Sequence, residues 1–82
     1  MTPIESIYEI KSAVLDLQRH LQSKDKIVSY KAQERYEKWV DRFFKENKDL
    51  IKPEQKQSCL AEPAYFLELM DDTIEYYYEP NE

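Results

Sequence analysis

The chain has no glycine among its 82 residues, and this restricts its fold more than any other feature. Hairpin turns and phosphate-cradling loops need residues at positive φ, which glycine supplies at no steric cost. A β-sandwich, a P-loop or a dinucleotide-binding fold is therefore disfavoured. Helices joined by short polar loops need glycine least. The expected architecture is all-α: a small irregular antiparallel bundle of three long helices plus one short helix, in a single domain of residues 1–82.

Local signals place the helices at about 3–22, 28–47, 53–62 and 64–78. Thr2, Pro3 and Glu5 spell a capping box with proline at the first helical position, where its missing N–H does no harm. Ile7, Ile10, Val14, Leu17 and Leu21 then follow at spacings of 3, 4, 3 and 4, one face of a helix. The second helix starts between Asp25 and Ser29, both candidate caps, and Ala32, Tyr36, Trp39, Val40 and Phe43 share its inner face. Leu50 and Ile51 fold back onto the core from the connection that follows. Pro53 opens the short helix, which carries Cys59 and Leu60 inward, and the last helix begins at Pro63. Its inward residues are Phe66, Leu67, Met70, Ile74 and Tyr77. The run Thr73–Tyr78 has strong β propensity, so a strand is the rival reading, but no second segment reads as its partner.

Few residues are available for catalysis or metal binding. Cys59 and His20 are the single members of their types, which excludes an intramolecular disulfide and leaves too few ligands for structural zinc. Cys59 reads as a small buried hydrophobe and His20 as a boundary residue. Glu68, Asp71, Asp72 and Glu75 lack the alternating loop ligands of a calcium site and read as a solvated face. No general acid, base and nucleophile assemble from spacing, so no enzyme activity and no cofactor are expected. There is no leader-like segment and no run of about 18 apolar residues. A reducing, cytoplasmic location and no membrane association are the expectation.

Charge is distributed unevenly within the net −5. Residues 1–22 carry net −1, residues 23–52 net +3 and residues 53–82 net −7. Lys31, Arg35, Lys38, Arg42 and Lys45 recur at 4, 3, 4 and 3 as a basic stripe on helix two. Glu68, Asp72, Glu75 and Glu79 recur at 4, 3 and 4 as an acidic stripe of matching pitch on the last helix. Tyr65, Leu69 and Tyr76 fall on the outward flank beside those carboxylates, and Tyr76, Tyr77 and Tyr78 in succession cannot all point inward.

Exposed tyrosine gives large contact area at low entropic cost, and surrounding carboxylates steer a protein toward a basic surface. The leading expectation is thus a non-enzymatic protein-binding domain, a small acidic inhibitor or adaptor. It would engage a larger protein, basic or nucleic-acid-binding, through Tyr65, Glu68, Leu69, Asp72, Glu75, Tyr76, Tyr78 and Glu79. Two alternatives use the same stripes. In one, a structural homodimer pairs the basic stripe with the acidic one. In the other, the basic stripe binds nucleic acid, which the acidic net charge and the acids on the same helix disfavour.

The string Ile74-Glu75-Tyr76-Tyr77-Tyr78-Glu79-Pro80 resembles, over seven residues at the chain end, the tyrosine-rich contact segment of the colicin immunity proteins. These are small acidic four-helix toxin inhibitors. The resemblance implies only that a protein of this kind can present tyrosines to a basic target, and no residue role is carried over from it.

Overall fold

The computed structural model describes residues 2–78. Four helices follow in order: α1 (Pro3–Leu21), α2 (Lys26–Glu46), α3 (Gln55–Ala61) and α4 (Pro63–Thr73), the last continued by a π-helical turn, Ile74–Tyr78. The all-α bundle is borne out. Among the described residues there is no strand, so the β propensity of the tyrosine run is overridden, and no residue takes a positive φ.

Each helix end has a local cause. The Thr2 hydroxyl accepts from the Glu5 N–H at 3.2 Å and the Glu5 carboxylate accepts from the Thr2 N–H at 3.2 Å, closing the capping box. That bonding holds the Glu5 carboxyl below its ordinary pKa. Asp25 is the α2 cap, accepting from Ile27 and Val28 N–H at 2.9 and 3.2 Å, so α2 starts at Lys26, two residues before its expected position. Ser29 ties this end to α1 by donating to the Leu21 carbonyl at 3.3 Å.

α3 is shorter than expected. Pro53 does not open it but lies in the preceding turn, where Gln55 and Lys56 N–H bond to the Lys52 and Pro53 carbonyls at 3.0 and 3.1 Å. These three-residue closures leave the regular ladder to begin at Gln55. Pro63 does open α4. It also drives Glu62 into the extended region (φ −137°, ψ 111°) and separates α3 from α4.

The core is a single cluster of Ile7, Ile10, Val14, Leu17, Ala32, Tyr36, Val40, Phe43, Phe44, Cys59, Phe66, Met70 and Ile74. Phe66 is its centre, meeting Tyr36 and Phe43 edge-on with ring centroids at 5.9 and 5.3 Å. α1 packs on α2 and on α4, and α3 packs on α2 and on α4. α2 and α4 therefore stand at opposite corners and meet across the core through these rings.

Four inward assignments are corrected. Trp39 is only partly buried, at the rim beside α1, because the α2 face centres on Tyr36 and Val40. Leu60 and Leu67 likewise pack at the periphery of the core. Tyr77 is 54% exposed, and Tyr78 takes its place. The cause is the π turn. Thr73 donates its hydroxyl back to the Leu69 carbonyl at 2.7 Å, a bond that competes with the helical ladder, and the helix widens directly after it. The wider i→i+5 turn returns Tyr78 to the bundle. There its hydroxyl donates to Oδ1 of buried Asn47 at 2.9 Å, while the Asn47 amide donates to the Phe43 carbonyl at 3.0 Å.

Candidate protein-interaction site

The expected contact residues divide into three groups. Glu68, Asp72, Glu75 and Tyr76 are exposed on α4 and the π turn, with Tyr76 at 70%. Tyr65 and Leu69, expected on the outward flank, are partly buried against the core, because α3 folds alongside them. Gln55 reaches the Tyr65 hydroxyl at 3.4 Å. Tyr78 is half-buried and bonded to Asn47, which makes its hydroxyl a tether for the π turn. Glu79 lies outside the described residues.

Between this helix and the α2–α3 connection runs an open groove of about 530 Å³, with Leu50, Ile51 and Lys52 on one wall and Leu69, Asp72 and Tyr76 on the other. A smaller hollow of about 120 Å³ continues it past Gln55 to Tyr65 and Glu68. The result is a strip with an aliphatic floor, a carboxylate rim and two exposed phenol rings, Tyr76 and Tyr77. Tyr77, expected inward, was missed as a surface residue by sequence reasoning, whereas Ile51 packs against the core as expected and Leu50 is partly buried. The choice between Tyr77 and Tyr78 turns on Asn47, 31 residues upstream of Tyr78, and no local signal reports it.

The basic stripe is also placed. Lys31, Arg35, Lys38 and Lys45 are exposed along α2. Arg42 is drawn into the α1–α2 seam, with Nη1 at 2.5 Å from Glu9, Nε at 3.4 Å from Glu46 and Nη2 donating to Ser6 Oγ at 2.8 Å. The Glu9 hydrogen bond is the main cause that raises its pKa further. Arg42 also lies 5.3 Å from the Trp39 ring centroid. Trp39 with Arg35, Lys38 and Arg42 lines a shallow hollow of about 400 Å³.

The helices are stitched by pairs that lie beside the acidic stripe or on its far side: Lys11–Asp71 between α1 and α4, and Lys56–Asp41 between α3 and α2, each at 2.5 Å. Exposed pairs of this kind contribute about 0–1 kcal/mol each and set register more than stability. Among the described residues, no group of three or more His, Cys, Asp or Glu side chains is placed to hold a metal ion. No described helix is long and apolar enough to cross a membrane. Cys59 is fully buried, and burial pushes its thiol up to about 12. His20 is exposed at the end of α1. Comparison with protein-family models, with curated proteins and with solved structures finds no match for this chain.

Proposed function

We propose that this chain is a non-enzymatic protein-binding domain, a small acidic inhibitor or adaptor, whose α4 face engages a basic surface on a larger protein. The observation that carries the reading is the pair of exposed rings, Tyr76 and Tyr77, set beside Glu68 and Asp72 along one groove. Burying large aromatic area at the centre of an interface with charges at its rim is how compact proteins gain affinity and orientation together. The carboxylate rim selects a lysine- or arginine-rich target. A surface that ordinarily holds nucleic acid is one such target, and against it this domain acts by charge mimicry.

The experiment is affinity capture from nuclease-treated lysate, comparing the native chain with an Asp72→Lys/Tyr76→Ala variant. Both positions are exposed, so the variant keeps its fold, checked by circular dichroism. A Lys31→Glu/Lys38→Glu variant, altered at the opposite corner, serves as the control. One dominant protein retained by the native chain and the control, and lost by the α4 variant, supports the reading. Equal retention by all three refutes the α4 face.

A further inference from the structure

The α2 ridge has no role in the α4 reading, yet it is built much like an interface. Lys31, Arg35, Lys38 and Lys45 are exposed along it, and Trp39 lies at its edge over a shallow hollow. Tryptophan and arginine are the residues most enriched at interface hot spots. On α4, Glu68 and Asp72 are exposed one turn apart, with the complementary charge and a nearby exposed ring, Tyr76.

One molecule cannot bring these ridges together. α2 and α4 stand at opposite corners, and the bundle measures 45 × 23 × 21 Å. Among the described residues, no ion pair links Lys31, Arg35, Lys38 or Lys45 to Glu68 or Asp72.

We propose that the α2 ridge of one copy docks the α4 ridge of a second copy, with Tyr76 seated against Trp39. A nucleic acid fits the α2 ridge less well. It would have to run its continuous phosphate backbone past Glu34, Glu37 and Asp41 on the neighbouring flank of the same helix. A second copy instead presents the discrete carboxylate pair Glu68 and Asp72, at the same four-residue spacing as Lys31 and Arg35. The two surfaces differ and lie on opposite corners, so the contact is heterologous. Each pair leaves one basic and one acidic ridge open, and association proceeds head to tail into a ring or a short chain. The inference does not depend on the larger partner of the previous section, but the two uses of the α4 face exclude each other, so self-association competes with partner binding.

Sedimentation velocity over a concentration series, at about 20 mM and about 500 mM salt, tests it directly. Species above the 10.0 kDa monomer are expected at low salt and should dissociate at high salt, and Trp39→Ala should weaken association about tenfold or more. Two variants supply the decisive arm: Lys31→Ala/Arg35→Ala/Lys38→Ala and Glu68→Ala/Asp72→Ala. Each alone should be monomeric, since it lacks one of the two charged ridges. Mixed, they should form a 1:1 complex that grows no further, because one complementary pair of ridges remains. A native chain that stays monomeric at high concentration and low salt overturns the proposal, and so do folded variants that ignore each other when mixed. A native monomer that binds duplex nucleic acid through Lys31, Arg35 and Lys38 overturns it in favour of that ligand. A monomeric native chain leaves the larger-partner reading standing, so the two can fail separately.

Discussion

Tyr36→Phe removes one oxygen atom from the centre of the core, and its cost follows from the backbone it serves. The ring is fully buried and packs edge-on against Phe66, a contact that phenylalanine keeps. The hydroxyl donates to the carbonyl of Cys59, in the last turn of α3. In a continuing helix that carbonyl would accept from the N–H four residues on, but that residue is Pro63, which has none. The preceding carbonyl, Ser58, is served by Glu62 N–H at 3.0 Å. Tyr36 thus supplies the donor that the α3–α4 junction lacks. Deleting it leaves a buried acceptor unpaired, at a cost of about 1–3 kcal/mol. In a domain of this size that lowers Tm by roughly 4–8 °C per kcal/mol.

Urea denaturation followed by circular dichroism measures the loss, with the m-value expected to stay constant because the folded surface is unchanged. The substitution should also be repeated in a Pro63→Ala background. Alanine restores an N–H at position 63 and frees Glu62 to return to helical angles, so Tyr36→Phe should cost less there. A loss below about 0.5 kcal/mol, within the range of neutral surface changes, would refute the reasoning. So would an equal loss in both backgrounds, since the hydroxyl would then not be standing in for an amide.

Two further expectations concern the buried thiol and the π turn. Burial raises the Cys59 thiol from 9.0 to about 12. Its folded pKa therefore exceeds its unfolded one, and the stability this provides is complete below about pH 9 and lost as pH rises toward 12, by at most about 1.4 kcal/mol per pH unit. Cys59→Ala should flatten the alkaline limb of a stability–pH curve without abolishing it, because burial also raises Tyr36; an unchanged limb would show that the thiol does not titrate with unfolding. Tyr78→Phe keeps the ring but frees Asn47 Oδ1, so it should cost about 0.5–1.5 kcal/mol. Amide exchange should accelerate selectively across 74–78, and uniform exchange rates would mean that the hydrogen bond does not hold the π turn.

What was legible in the sequence was whatever neighbours along the chain decide. Thr2, Pro3 and Glu5 make their cap among themselves, and Asp25 caps α2 with amides two and three residues away. Ile7, Ile10, Val14 and Leu17 face inward because their spacing admits only one apolar side. The misplacements all occur where a distant residue arbitrates. Trp39 sits where the angular position on α2 is compatible with core or rim, and the neighbouring α1 sets the rim. Tyr65 and Leu69 were placed outward because nothing in α4 itself reports that Pro63 turns α3 back alongside it. Tyr77 and Tyr78 are chemically identical candidates for one inward place, and Asn47 selects between them.

The charge ridges show the same division with a functional consequence. Their pitch is a property of the sequence, but whether opposite ridges neutralise each other depends on which helices are neighbours. Had α2 and α4 been adjacent, the matched spacings would have formed an internal seam and left nothing for a partner. The bundle instead places α1 and α3 between them and ties its corners with Lys11–Asp71 and Lys56–Asp41. Asp71 is one residue from Asp72, and Asp41 one residue from Arg42. A helix turns about 100° per residue, so that single step moves each stitching residue off the ridge and toward the adjoining helix. Removing the stitch alone should therefore be mild: Asp71→Ala should weaken only the α1–α4 seam, by about 0–1 kcal/mol as is typical of an exposed pair, and leave partner capture intact, whereas Asp71→Ala/Asp72→Ala also loses a carboxylate of the groove rim. If Asp71→Ala abolished capture while Asp72→Lys/Tyr76→Ala did not, the working face would be the α1 side of α4 and the assignment of the groove would be wrong.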